Sequence, residues 1–272
     1  MLFFETLVVL RASDKLCIKP LMLRIYQNTI DNPVSFKGIG LHSGKESEIT
    51  ILPAKANQGI IFKRVDIEGD NLIHANYKNV SSAKLCSTLQ NNKGVKVSTV
   101  EHLLASLYIA NIDNALIEIN NVEVPIMDGS AKIFLDVLKK AKIKKLDKKI
   151  KYLNIIDKVE LKDGAKKISI EPSNSSFEVD FKLKYENKII GKQRNLVNFQ
   201  NDNLKNVCDS RTFCLLEDIE KIKKLGLAKG GSLDNAIVVD KNRILNSGGL
   251  RNEKEFVNHK ILDLAGDFVL SG

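Results

Sequence analysis

The sequence predicts an α+β fold made of two domains. The chain has 272 residues, of which 43% are hydrophobic, so it can bury one large or two medium cores. Strand-like runs are mixed with a few helical segments in each half, which is typical of α+β folds. A lysine-rich run at 139–149 separates the halves. We therefore expect a first domain at 22–145 and a second at 150–272.

In the first half, the periodicity of the apolar residues predicts strands and helices. Strands are expected near 48–52, 59–64 and 114–119, and helices at 98–110 and 131–142. The helix at 98–110 has apolar residues at the spacing of one buried helical face. Ser98 and Thr99 stand at its start and are residue types that commonly cap helix N-termini.

The second half shows the same mixture of patterns. Strands are expected near 167–171, 177–185 and 236–239, and helices near 217–225 and 253–270. Each half therefore supplies strands for a sheet and helices to cover it.

The amino terminus, residues 1–21, stands apart from this pattern. It begins with an apolar run that contains Glu5, has no basic start and is far shorter than the ~20 residues that span a bilayer. Met22 immediately precedes the first clearly strand-like segment. We expect residues 1–21 to form an extension outside the folded unit.

The composition also indicates which partners and which cellular compartment suit the chain. Much of the formal net charge of +9 comes from the run at 139–149, which predicts a solvated linker. Attraction to an anionic membrane surface or to nucleic acid is the alternative. The four cysteines form no C-x-x-C pair, and a reduced, cytoplasmic chain is the simplest interpretation.

Glu101 and His102 lie side by side near the start of the helix at 98–110. On a helical wheel, His102 points away from the apolar stripe. A Glu-His pair there is typical of a metalloenzyme, with the histidine as ligand and the carboxylate as base. The zincin pattern H-E-x-x-H is absent, since position 106 is serine. Any further ligands must come from elsewhere in the chain.

A second helix supplies further candidate ligands. In the segment FVNHKILDLAGDFVL (256–270), the polar side chains form one narrow stripe on an otherwise apolar helix. That stripe contains His259, Lys260, Asp263 and Asp267. A helix of this kind should be largely buried, and buried ionisable groups need partners or a metal. His259 and Asp263 are four residues apart, so their side chains project together.

His102, His259 and Asp263 together form a His₂Asp ligand set that leaves a fourth position for water, the composition of a catalytic Zn²⁺ site. Glu101 is then available to take a proton from that water. The alternative is that His102 is an ordinary helix histidine and that His259 and Asp263 pair with each other. Fe²⁺ and Co²⁺ also suit this set of ligands.

Several blocks of sequence resemble one enzyme family. They are GIGLHSG (38–44), STVEHLLASL (98–107), VPIMDGSA (124–131), SRTF (210–213), GGSLDNAIVV (230–239) and GLRNEKEFVNHKILDLAGD (249–267). In this order they resemble the UDP-3-O-acyl-N-acetylglucosamine deacetylases, the zinc amidases of lipid A biosynthesis in Gram-negative bacteria. The resemblance covers 22–272 and implies two similar α+β domains, each a β-sheet packed with helices, with the active site between them.

The resemblance also implies roles for individual residues. His102, His259 and Asp263 would bind Zn²⁺, and Glu101 would act as general base. Thr212 would hydrogen-bond the oxyanion as the acetamide carbonyl becomes tetrahedral.

Further residues would act on or near the substrate. Lys260 is expected to meet the anionic nucleotide part, and Asp267 corresponds to an aspartate that orients a catalytic histidine. Phe213 resembles part of a hydrophobic passage for the acyl chain. His42 is placed near the site without being a ligand, and Cys86 is expected to be a small residue near the substrate.

The function implied is zinc-dependent release of acetate from UDP-3-O-(3-hydroxyacyl)-N-acetylglucosamine. We expect a cytoplasmic monomer that binds this UDP-linked sugar and no nucleic acid; peripheral association with the inner membrane is compatible with the charge. Another zinc amidase or metallohydrolase is the alternative. A basic nucleic-acid-binding protein is disfavoured, because the chain has no Trp and 6% aromatic residues.

The family has a further histidine, in a Gly-His pair after the ligand helix, that protonates the leaving amine. No histidine follows His259 in this sequence. The resemblance therefore predicts a deacetylase that is incomplete at its carboxyl end, with slow turnover and with Asp267 left unpaired near the site.

Overall fold

The computed structural model describes residues 5–13, 24–173 and 177–272. Their strands are β1 (Glu5–Ser13), β2 (Tyr26–Ile30), β3 (Val34–Ile39), β4 (Glu46–Pro53), β5 (Ile60–Arg64), β6 (Leu72–His74), β7 (Val80–Ser82), β8 (Thr88–Gln90), β9 (Lys96–Ser98), β10 (Ala115–Ile119), β11 (Ile143–Lys149), β12 (Val159–Asp163), β13 (Lys166–Ser173), β14 (Glu178–Lys184), β15 (Lys192–Asn198), β16 (Phe213–Leu215), β17 (Ile237–Asp240) and β18 (Arg243–Ile244). Their helices are α1 (Glu101–Ile109), α2 (Lys132–Ala141), α3 (Lys205–Cys208), α4 (Leu216–Lys224) and α5 (Glu255–Val269), with a 3₁₀ turn at Tyr77–Asn79.

The first half contains a sheet of five described strands in the order β3-β4-β10-β5-β6. Strand β10 runs antiparallel to β4 and parallel to β5. Burial alternates along β4 and β10, as the alternating sequences ESEITILP and ALIEI predict. The buried face packs against α1 and α2 in one hydrophobic core, to which Leu104, Leu107, Phe134 and Leu138 contribute.

Another sheet of five described strands, in the order β12-β13-β1-β14-β15, takes four strands from the second half and β1 from the amino terminus. Val179, Phe181 and Leu183 alternate along β14 and are buried. They share a second core with the apolar side of α5, including Phe256 and Ile261. Each half thus has a five-stranded sheet packed with helices, and the predicted α+β architecture of two similar units is confirmed.

The amino terminus differs from the sequence prediction. β1 lies inside the second sheet, parallel to β13 and antiparallel to β14, with Leu7 opposite both Lys167 and Lys182. The expectation that 1–21 lies outside the fold is therefore wrong for this strand. The shortness of this segment argues against a membrane span but not against a strand that pairs within a sheet. Met22 lies outside the described residues.

The lysine-rich run is structured rather than a linker. It includes the last turn of α2 and β11, which pairs antiparallel with β2. No helix or strand occurs between β11 and β12, at 150–158. The domain limits 22–145 and 150–272 stay predictions.

Helix α1 is buried on nearly all sides, since the residues from Glu101 to Leu107 are all buried. Its N-cap residue is Val100, without a side-chain cap, so the prediction that Ser98 and Thr99 cap it is wrong. The Thr99 hydroxyl instead donates to Glu123 Oε1 at 2.9 Å, and that of Ser98 donates to the Val122 carbonyl at 3.3 Å. α1 lies against α5, which brings the two halves together.

Within the described ranges, no helix combines the length and the apolar character needed to cross a bilayer.

Candidate metal centre

Three predicted ligands converge where α1 meets α5. His102 comes from α1, and His259 and Asp263 come from α5. One possible ligand atom of each residue lies within 4.8 Å of the other two. The Nε2 atoms of His102 and His259 are 3.2 and 3.4 Å from Asp263 Oδ1. The site therefore lies between the two halves, as the family resemblance predicts.

The donor atoms at this point fit a divalent cation. Asp263 Oδ1 is buried between the two imidazoles but makes no aligned hydrogen bond with any described residue. An unsatisfied buried oxygen costs about 1–3 kcal/mol unless something else satisfies it. Two imidazole nitrogens and one carboxylate oxygen are the ligand types that Zn²⁺ and related ions prefer.

The orientation of His259 supports the same conclusion. Its Nδ1 lies 3.2 Å from the Ser210 carbonyl oxygen, which requires Nδ1 to carry the proton. Burial lowers the pKa of His259 to about 3, so the ring is neutral at neutral pH. The Nε2 lone pair then faces Asp263 and is free to bind a cation. A simple ion pair between His259 and Asp263 would instead need a charged ring.

Glu101 lies beside the ligands and is held separately from them. Its Oε2 accepts a hydrogen bond from the Ser87 backbone N–H at 3.1 Å. The side chain is buried, and this burial raises the pKa of Glu101 to about 7. A buried carboxyl group that gains and loses a proton near neutral pH is suited to general-base chemistry.

Lys260 lies next to the ligand carboxylate. Its Nζ is 2.9 Å from Asp263 Oδ2 and 5.5 Å from the centre of the Phe213 ring, and 37% of its side chain is exposed. Burial alone would lower the pKa of Lys260, but Asp263 outweighs it and raises this pKa above its ordinary value. The ammonium group therefore stays charged. Its predicted contact with a nucleotide stays a prediction.

Asp267 has a partner that the sequence did not indicate. The Ser87 hydroxyl donates to Asp267 Oδ1 at 2.5 Å, so the expectation of an unpaired carboxylate is wrong. Burial raises the pKa of Asp267 to about 6. Ser87 thus holds Glu101 with its backbone and Asp267 with its side chain. No pattern around Ser87 in the sequence marked it as part of the site.

The segment at 210–213 is fixed by backbone hydrogen bonds. Thr212 is half-buried; its N–H donates to the Gly129 carbonyl at 2.8 Å, and its carbonyl accepts from the N–H of Ile237 at 2.8 Å. The Phe213 ring lies 6.2 Å from that of His259 and 4.9 Å from that of Phe256, measured between ring centres. Phe213 therefore lies beside His259, and the predicted role of its neighbour Thr212 stays a prediction.

Cys86 and His42 are placed differently from the ligands. Cys86 Sγ lies 3.9 Å from Thr88 Oγ1, and burial together with the charge of Glu101 raises the pKa of its thiol, which disfavours a nucleophilic thiolate. The ring of His42 is buried; its Nδ1 accepts from the Ala228 N–H at 3.4 Å. Neither residue belongs to the converging ligand set.

A buried ion pair, which no sequence pattern indicated, supports the site. The Glu255 carboxylate is fully buried in the first turn of α5 and accepts from the Arg211 N–H at 3.0 Å and from Arg211 Nε at 2.8 Å. It also accepts from the Arg251 N–H at 2.6 Å. Glu255 therefore fixes the segment whose Ser210 carbonyl orients His259.

We expect Glu255→Gln to destabilise the protein by about 3–5 kcal/mol, because it leaves the Arg211 guanidinium buried without its counter-charge. Metal affinity should fall by about 10–100-fold, since the orientation of His259 depends on this segment. Urea unfolding and metal titration measure the two effects. Glu253→Gln, an exposed neighbour, is the matched control. Equal unfolding midpoints for the two variants would contradict this role.

Comparison with known proteins identifies the family. Residues 27–272 match the family described as UDP-3-O-acyl N-acetylglycosamine deacetylase. The UDP-3-O-acyl-N-acetylglucosamine deacetylase of Geotalea uraniireducens is 44% identical over 248 residues, which cover 91% of this chain and 80% of the relative. Proteins of the same name from Legionella pneumophila and Haemophilus ducreyi are 41% and 39% identical over 251 residues, which cover 91% of this chain and 82% of each relative. The chain therefore belongs to the UDP-3-O-acyl N-acetylglycosamine deacetylase family, as its motifs predicted.

Proposed function

We propose that this chain is a zinc-dependent deacetylase of UDP-3-O-(3-hydroxyacyl)-N-acetylglucosamine that acts in lipid A biosynthesis. Water adds to the acetamide carbonyl, the C–N bond breaks, and acetate and the free amine are released. The observation that carries the proposal is the convergence of His102, His259 and Asp263 beside Glu101. The names of relatives with 39–44% identity support the choice of substrate.

His102, His259 and Asp263 would hold the metal through two ring nitrogens and a carboxylate oxygen. A Zn²⁺ ion in this position supplies Lewis-acid chemistry, which polarises a carbonyl and lowers the pKa of water to about 7. Ser210 keeps His259 in the tautomer that offers Nε2.

Glu101 is the proposed general base. Its carboxylate takes the proton of the attacking water, and the Ser87 N–H holds it in place through Oε2. Its side chain is buried, so the proton is held at this carboxyl group, from which the leaving amine can take it as the C–N bond breaks.

The remaining residues would act on the substrate. The Thr212 hydroxyl donates to the oxyanion, the Lys260 ammonium meets the anionic nucleotide, and Phe213 lines the passage for the acyl chain. Cys86 and His42 contribute to the surroundings of the substrate.

Other expectations from the sequence stay predictions. They are the cytoplasmic location, the monomeric state and the absence of a nucleic-acid partner.

We expect metal-loaded protein to release acetate from the UDP-linked acyl sugar, and Glu101→Gln to lower the rate by about 10²–10⁴-fold with unchanged metal content, because Glu101 moves a proton and is no ligand. Acetate release and metal analysis are the two measurements. Glu68→Gln, an exposed substitution of the same kind, is the control. Equal rates on N-acetylglucosamine without the UDP and acyl groups would favour another metallohydrolase.

A further inference from the structure

A strongly basic stretch of exposed side chains lies at the end of the first half. We call it the lysine strip; its members are Lys139, Lys140, Lys142, Lys144, Lys145, Lys148, Lys149 and Lys151. All of these side chains are exposed, and Asp147 is the one acidic residue in 139–151. The catalytic proposal uses none of them.

Most of this charge has no counter-charge on the protein. Lys139 Nζ lies 3.2 Å from Asp136, and Lys145 Nζ lies 3.9 Å from the centre of the Tyr26 ring. The other six lysines form no ion pair with any described residue. Basic side chains that serve only to keep a surface soluble are usually mixed with acidic ones. In this run almost all of the charged side chains are positive.

Four members of the lysine strip, Lys144, Lys145, Lys148 and Lys149, lie on β11, and the other four lie at the end of α2 or within two residues of the strand. β11 pairs with β2 in a two-stranded sheet of the described chain, so its other edge is open. Apolar side chains flank the charges: Ile143 is 46% exposed, Tyr152 57% and Leu153 61%. Surfaces that bind at the headgroup level of a bilayer typically combine lysines with exposed aromatic and aliphatic side chains.

We propose that the lysine strip, with Tyr152 and Leu153, docks the protein on an anionic lipid bilayer. Charge complementarity identifies the occupant, since phosphate-bearing headgroups supply a dense negative surface. Lysines also protect open strand edges from pairing, but that role does not call for exposed Tyr152 and Leu153. A nucleic acid would use the charge and could stack a base on Tyr152, but it has no use for exposed Ile143 and Leu153. The proposal is independent of the catalytic site.

Vesicle sedimentation tests it with the full chain. We expect binding to phosphatidylcholine vesicles that contain phosphatidylglycerol, weak binding to phosphatidylcholine alone, and loss of binding as salt is raised. Each lysine near such a surface contributes about fivefold in affinity, so replacing Lys144, Lys145, Lys148 and Lys149 by Gln should weaken binding by about 10²–10³-fold.

The matched control replaces four exposed lysines elsewhere, Lys55, Lys78, Lys93 and Lys96, by Gln and changes the net charge equally. It should bind vesicles nearly as well as the unaltered chain. The double variant Tyr152→Ser, Leu153→Ser should bind vesicles more weakly, and the salt dependence of the remaining binding should be unchanged. Melting temperatures establish that each variant is folded.

Three results would overturn the proposal. The first is no binding of the unaltered chain to the anionic vesicles at low salt. The second is equal loss of binding in the strip variant and in the control variant, which would show that only net charge matters. The third is binding to duplex DNA or RNA that depends on the strip while vesicles are not bound, which would assign the surface to nucleic acid.

Discussion

His259→Ala is expected to remove bound metal from the protein. His259 supplies one of the three converging ligand atoms, and its Nε2 lies 3.4 Å from Asp263 Oδ1. Losing a group that merely orients a ligand costs about 10–100-fold in metal affinity. Loss of a ligand itself should therefore weaken binding by more than about 100-fold, and catalysis should be lost with the metal. Metal analysis of protein purified without chelator measures the stoichiometry directly.

His74→Ala is the control for this experiment. His74 is an exposed histidine on β6, and it belongs to no described ligand cluster. It should retain one metal per chain. His102→Ala and Asp263→Ala should behave like His259→Ala, because each removes one member of the same set. If His259→Ala keeps full stoichiometry and affinity, the metal is held elsewhere.

Helix periodicity was enough to predict half of this site. The polar stripe on α5 stands out because the rest of that helix is apolar, and His259 and Asp263 lie one turn apart on it. The prediction that His102 joins His259 and Asp263 depended on two observations. They are the adjacent Glu101 and the small number of histidines in the chain. The pattern predicts which face of a helix is buried, and a buried polar face implies a partner.

The supporting residues carry no comparable signal. Glu255 is a single charged residue at a helix start, and its pairing with Arg211 depends on two segments that are distant in the chain. Thr99 was expected to cap α1, but Glu123 competes for its hydroxyl. The position of β1 was missed because local sequence does not say which strands a third strand will join.

The glycine at which α1 and α5 cross was also not anticipated. An ideal Cβ on Gly266 would lie 1.9 Å from the Glu101 carbonyl oxygen and 2.7 Å from its carbon. Both atoms belong to the backbone of the neighbouring helix, so no side-chain rotation can relieve the clash. Glu101 directly precedes the ligand His102, and Gly266 lies three residues after the ligand Asp263. The close approach of the two helices therefore sets the distance between the ligands.

Gly266→Ala should consequently lower both stability and metal affinity. Overpacking of a rigid contact costs about 1–3 kcal/mol and more where the backbone must move, and for a chain of this size 3 kcal/mol corresponds to a melting temperature lower by roughly 6–12 °C. The direction of the change in stability is diagnostic, because replacing Gly by Ala inside a helix otherwise stabilises the protein by about 1 kcal/mol. Gly248→Ala, where no atom lies within 4 Å of the added carbon, is the matched control and should leave both quantities unchanged. A Gly266→Ala protein with an unchanged or higher melting temperature and full metal affinity would show that the ligands do not depend on this helix contact.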